Sequence, residues 1–359
     1  LTHDGVIDDP SPSATDGDIA AINLESARRR AWTRFAQNPR RPGVAEEILD
    51  KERLAAQFFG DFAALDRLGA LASRLARVED SCRTALVQAE VASTVHHFEE
   101  ARGHLARAAR MGGPRETIER HQLTIDQACG VRLDAALAAR RRIAAGSGRV
   151  EDQVPLGALL ADLERFDEAN AVYWQAFYSY DGISPFPLAW ICFQLGTLWG
   201  ELVPVPELSL AALWHERAIT YLPRYVRARV HLAEIYASQG HAGGAEAALV
   251  PALPSGDPEV RWRLADVLLA QGRLVEAQSQ LDAARCGFDD LLGRHLLAFA
   301  DHAAEFYAHS GSDCRRALEL ARVNAANRPT RRALKQADEA ATKVDMPAAA
   351  SDLRAAIPG

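Results

Sequence analysis

Three histidines, His295, His302 and His309, recur at heptad spacing and are the first residues whose types invite metal chemistry. A helix rises about 1.5 Å per residue, so positions seven apart sit roughly 10 Å apart along the axis and cannot share one ion. His302 and Glu305 are three apart and share a face, but no further ligand accompanies them. His96, His97 and His104 are spread in the same way. The five cysteines, Cys82, Cys129, Cys192, Cys286 and Cys314, are widely spaced without a CxxC pair, which removes zinc-knuckle and thioredoxin-like patterns. In alanine-rich surroundings they read as small buried side chains. No phosphate-cradling glycine loop, GxSxG, HExxH or GxGxxG occurs. The expectation is a non-catalytic protein with no metal and no cofactor.

The 359 residues carry a formal net charge of −7, which argues against nucleic acid as the partner, since phosphate binding needs concentrated positive charge. Two arginine triplets, 28–30 and 140–142, are the candidate basic patches. Three consecutive helical residues fan over about 200°, so neither forms a one-sided stripe. Residues 1–18 are acidic and rich in Pro and Ser, unlike a signal peptide, and read as a tail. A cytoplasmic location follows, or a periplasmic one if a leader was removed before Leu1. The longest uncharged stretch, residues 182–200, approaches the length of a membrane span. Its early prolines, Ser184 and Gln194 make it a buried helix with a proline-rich entry rather than a membrane insertion.

The elements that must position the polar residues come from an internal recurrence. Residues 230–249 read VHLAEIYASQGHAGGAEAAL, and residues 262–281 read WRLADVLLAQGRLVEAQSQL. Leu232, Ala233 and Tyr236 share one helical face, Gly240 reverses the chain, and Ala245, Leu249 and Ala252 mark a second helix. Such a hairpin cannot bury its apolar faces alone, so copies must stack. Further copies carry Phe98 and Ala101, Phe166 and Ala169, Leu195-Gly196 with Trp199, Ala211 to Pro223, Ala317 to Pro329, and Ala27 to Pro39. Weaker ones fall at residues 50–72 and 123–142. Leu232-Ala233-x-x-Tyr236, Gly240, Ala245, Leu249 and Ala252 resemble the tetratricopeptide repeat, here in the manner of a bacterial solenoid protein. That resemblance implies an all-α, right-handed solenoid of stacked antiparallel hairpins over residues 19–357. About eight helix pairs fit, the best repeats being 226–257 and 258–288, in one elongated superhelix.

In that family the first helix of each pair lines a concave groove. Counting angles from the small residue facing the second helix places Trp190, Gln194, Thr197, Glu201, Arg227, His231, Glu234, Arg263, Asp266, His302 and Glu305 along it. The stripe is polar and of mixed charge, which suits a protein or peptide segment. Trp190 stands out as an apolar anchor, and Glu201, Glu234 and Asp266 as acids for a Lys- or Arg-bearing segment. Nine aromatics between Tyr173 and Trp199 read either as a recognition surface or as an oversized joint between repeats. The resulting function is an interaction scaffold. A ligand-sensing regulatory segment of a signalling protein and an exported envelope-assembly factor are the alternatives.

Overall fold

The computed structural model describes residues 12–344. They form seventeen helices and no strand: α1 (Gly17–Gln37), α2 (Val44–Phe59), α3 (Ala63–Val78), α4 (Cys82–Thr94), α5 (Phe98–Arg110) and α6 (Arg115–Ala128). Then come α7 (Leu133–Ser147), α8 (Val150–Asp162), α9 (Phe166–Ser179), α10 (Pro185–Thr197), α11 (Leu208–Tyr221) and α12 (Val226–Ser238). The series ends with α13 (Ala242–Leu249), α14 (Pro258–Ala270), α15 (Leu274–Ala308), α16 (Cys314–Asn327) and α17 (Arg331–Lys343). The chain is an all-α solenoid. Residues 345–357, assigned to the solenoid from sequence, and residues 1–11 of the expected tail lie outside the described range. The rest of that tail shortens into helix: Asp16 caps α1 by accepting from the Asp18 and Ile19 amides.

The helices pair as α2–α3, α4–α5, α6–α7, α8–α9, α10–α11 and α12–α13. Helix α15 breaks at His295 (φ −141°, ψ 53°), so its first part pairs with α14 and its second with α16. A single backbone device closes most pairs. One residue in each turn is left-handed: Gly60, His96, Gly130, Glu164, Gly240, Gly272 and Ser312 have φ between 51° and 77°. In five of these turns the next amide donates five residues back, as in His97 N–H to the Ala92 carbonyl (2.8 Å) and His241 N–H to Tyr236 (2.8 Å). The α10–α11 pair departs, running through a π-helical segment (Leu198–Leu202) and a loop over residues 203–206.

Small residues set the spacing inside each pair. A Cβ on Gly157 would fall 2.4 Å from the Tyr173 ring, and one on Gly196 would fall 2.5 Å from the His215 ring. Ala245 and Ala277 are likewise buried where their helices meet. Large side chains then fill the layers between pairs. Trp214, Trp262, Tyr173, Tyr225 and Phe177 are all fully buried, each contributing roughly 1.5–3 kcal/mol by leaving water. The aromatic group between Tyr173 and Trp199 is mostly this kind of joint: Phe177 packs edge-on to Trp214 (5.9 Å between ring centroids), and Phe186 and Phe193 are buried. The uncharged stretch is buried in α10, and no helix among the described residues is long and apolar enough to cross a membrane.

The elongated, open superhelix expected from sequence is not what forms. Turns of the early pairs seat on connections between the late ones. Tyr221 OH donates to the Pro12 carbonyl (3.0 Å), and a Cβ on Gly17 would meet the Tyr221 carbonyl oxygen at 2.4 Å. The Gly256 N–H donates to the Gly60 carbonyl (3.2 Å). His295 Nε2 lies 2.9 Å from Asp66 Oδ1, and the Phe62 and Phe299 rings pack with centroids 4.8 Å apart. Asn327 Nδ2 donates to the His96 carbonyl (3.0 Å), Arg328 Nε to the Ala128 carbonyl (3.1 Å), and Arg331 Nη1 to Glu164 Oε1 (2.8 Å). These hydrogen-bonded partners lie 167 to 231 residues apart, so one superhelical turn closes on itself along a seam. Phe58 adds an apolar bridge, its ring 4.7 Å from Tyr225 and 5.2 Å from Phe186.

Two outcomes test this packing. Ala277→Leu should overpack its hairpin by about 1–3 kcal/mol, whereas Ser238→Trp, at an exposed position, should leave the thermal midpoint nearly unchanged. The reverse ranking would refute the facing of these helices. Phe62→Asp, together with Asp66→Ala, should enlarge the radius of gyration in solution scattering while the helical circular dichroism persists. An unchanged radius would mean that the seam does not hold the closure.

Candidate functional site

Closing the seam converts the concave groove into an internal cavity of about 1410 Å³ that communicates with solvent. Alternate helices line it: Arg53 from α2, Glu90 from α4, Arg120 and His121 from α6, Asp152 from α8, Thr197 from α10, Arg227 and His231 from α12, Glu259 from α14, and Asp301 to His309 from α15. Helix α17 completes the wall with Arg332, Lys335, Gln336 and Lys343. Arg140 reaches in from α7.

The residues placed on the groove by angle divide into three groups. Thr197, Glu201, Arg227, His231, His302 and Glu305 line the cavity. Glu234 and Arg263 line an adjoining recess that shares Glu201, His231, Glu259, His302 and Arg332 with it. Trp190, Gln194 and Asp266 line neither. Trp190 is half-buried against the aromatic core and offers no exposed anchor. Gln194 accepts from the Tyr173 hydroxyl (3.3 Å), and Asp266 from the Ser310 hydroxyl (2.6 Å). Angle counting misplaced these three because it treats each helix alone; the neighbouring pair and the Ser310 turn cover parts of the stripe.

The acids of the stripe are already engaged. Glu201 contacts His231 at 2.5 Å, and Arg263 contacts Glu234 at 2.5 Å, Glu305 at 3.1 Å and Glu259 at 3.3 Å. His302 Nδ1 lies 3.4 Å from Glu259 Oε2. The result is an ion-pair ribbon across α10, α12, α14 and α15. It leaves Glu201 and Glu234 with internal cations rather than free for a basic segment.

Enclosure shapes the titration of this ribbon. His302 is 33% exposed by side-chain area, but that exposure is to the cavity rather than to bulk water. Burial pulls its value down, yet Asp301 and Glu259 outweigh burial and raise it to about 9. Glu201 is likewise opposed by burial, but His231 holds it at about 2. Burial pulls His231 down, but Glu201, Glu234 and Glu259 together outweigh it and raise its value. His215, stacked on His231 at 5.5 Å, is pushed down to about 3 by burial and by that neighbour. Two adjacent imidazoles are therefore shifted in opposite directions, one paired with an acid and one without.

The heptad histidines serve three separate purposes: His295 at the seam, His302 in the ribbon, and His309 with Nδ1 2.9 Å from the Glu305 carbonyl oxygen. No group of three ligating side chains suited to a metal occurs among the described residues. Sequence reading missed the contributions of α2, α4, α6, α8 and α17. The same angular count applied to their weaker repeat copies would have found some of them, but not Arg140, which lies on a second helix.

No family model and no curated protein matches this chain. Among solved structures, the chain is similar to the C-terminal part of a TPR repeat-containing protein from Cytophaga hutchinsonii, at 14% identity and a TM-score of 0.34. The match covers 81% of this chain and 97% of that one.

The ribbon carries a pH prediction. His302 has a folded-state value above the ordinary 6.5, so its stabilisation is complete below about 6.5 and is lost as pH rises toward about 9. His302→Gln should therefore lower the thermal midpoint more at about pH 6 than at about pH 9.5, relative to wild type. A difference that stays constant across that window, measured by calorimetry, would show that the imidazolium is not paired in the folded protein.

Proposed function

We propose that this chain is a non-catalytic protein-interaction scaffold that receives a peptide-like segment of a partner in its concave interior. The observation that carries the reading is the cavity of about 1410 Å³, walled by charged, polar and apolar side chains together from alternate helices of nearly every pair. Pockets for small molecules usually measure about 300–1,000 Å³ and are mostly apolar. This one is larger, and its wall mixes guanidinium, imidazole, carboxylate, amide and hydroxyl groups, the complement of a polypeptide with varied side chains. The resemblance of the Leu232–Ala252 hairpin to tetratricopeptide repeats supports the same reading.

Affinity capture from the native organism, followed by titration of the captured protein, tests the reading. Thr197→Arg and Gln336→Glu, both on the cavity wall, should weaken binding about tenfold or more, equivalent to about 1.4 kcal/mol. Gln278→Ala and Val275→Ser, on the exposed outer face of α15, should bind like wild type. The scaffold reading stands only if the inner pair is affected and the outer pair is not.

A further inference from the structure

The cavity is richer in unpaired cations than the acidic chain around it. Among the described residues on its wall, Arg140, Arg227, Arg332 and Lys343 have no carboxylate within ion-pair distance, whereas only Glu116 and Asp257 lack a cation. The wall as a whole is near charge balance, with nine Arg and Lys against ten Asp and Glu, so what stands out is where the unpaired cations lie.

Arg140 is the clearest of the four. It is 8% exposed, lines the cavity, and its buried Nε has no hydrogen-bond partner. The nearby Asp152 is taken by Arg120. A buried guanidinium without a carboxylate is costly to keep, because neither water nor an ion pair replaces its lost hydration. Arg227, an exposed residue on the same wall, also has no carboxylate within ion-pair distance. Its Nη2 faces His302 Nε2 at 3.1 Å, setting a guanidinium against a second basic group.

The unpaired cations are spread along the wall rather than gathered at one point, which suits several carboxylates carried on one extended chain better than a single small anion.

The geometry points to an acidic, extended polypeptide segment as the occupant of the cavity. Its Asp or Glu side chains pair with Arg140, Arg227, Arg332 and Lys343. The inference rests on the scaffold reading and adds the chemistry of the partner. It reverses the sign expected from the acids of the groove stripe, since Glu201 and Glu234 are neutralised from within. No free chain terminus is required, because the unpaired cations are distributed over α7, α12 and α17 rather than gathered at one point.

The test uses the full chain and three probes: an acetylated and amidated oligoglutamate, an oligolysine of the same length, and tripolyphosphate. Binding is followed by calorimetry at low and at physiological salt. Oligoglutamate should bind, weakening as salt rises, and oligolysine should not. Arg140→Gln should weaken oligoglutamate binding about tenfold or more while leaving the thermal midpoint of the free protein unchanged or higher, because a charge without a partner has been removed. Arg29→Gln, at a side chain 74% exposed on the outer face of α1, should bind like wild type. Binding of oligolysine in place of oligoglutamate overturns the acidic partner and leaves the scaffold reading intact. Tripolyphosphate that binds as tightly and displaces the peptide makes the site one for a small polyanion, overturning both. Failure of oligoglutamate to bind, or an Arg140→Gln variant that binds it normally, overturns the inference.

Discussion

The seam between early turns and late connections is the constraint on which the rest of the molecule depends. A solenoid is ordinarily held by contacts between neighbouring repeats, and its stability is close to a sum of nearest-neighbour terms. Here contacts such as Gly256 to Gly60 and Arg328 to Ala128 join residues about two hundred positions apart. Loop-closure entropy makes such long-range contacts costly to form, although the cost grows only slowly with length. Within each pair, small residues such as Gly157 and Gly196 let the helix axes approach closely, and a larger side chain there would meet the Tyr173 or His215 ring.

Closure also changes the chemistry of the inner face. Side chains that would be solvated in an open groove now face an enclosed volume, where Coulombic interactions are stronger than in bulk water. That is why His302 and Glu201 depart so far from their ordinary values, whereas outer pairs such as Arg29–Glu25, with side chains 74% and 50% exposed, contribute little. The same enclosure makes an unpaired cation inside the wall informative. Outside, an arginine without a carboxylate is simply hydrated. Inside, Arg140 has neither water in quantity nor a partner.

The ion-pair ribbon and the unpaired cations divide the interior into two parts. From the π-helical segment after α10 through α12, α14 and α15, Glu201, Glu234, Glu259 and Glu305 are engaged by His231, Arg263 and His302, with Arg263 shared among three of them. Toward α7 and α17 the balance tips to arginine and lysine. The division gives the interior a direction, with a neutral polar face on one side and a cationic face on the other.

Local chemistry was legible in the sequence wherever a residue type has one dominant structural reason. Gly240 and Gly272 announced left-handed turns, and Ala245 and Ala277 announced helix contacts. The corresponding turns at His96, Glu164 and Ser312 were hidden, because residues that pay to enter the left-handed region look like ordinary polar positions. Heptad spacing correctly separated His295, His302 and His309, and the angular count brought Thr197, Glu201, Arg227, His231, His302 and Glu305 to one wall. By itself, then, the sequence determined the all-α hairpin repeat and, in part, the inward faces of α10, α12, α14 and α15, all consequences of interactions within about forty residues. Only the tertiary structure decided that the superhelix closes, that Trp190 is covered, that the groove acids are already paired, and that Arg140 is left alone. Each of these depends on the angle between successive pairs, a small quantity that no single repeat encodes and that accumulates over two hundred residues before one edge meets the other.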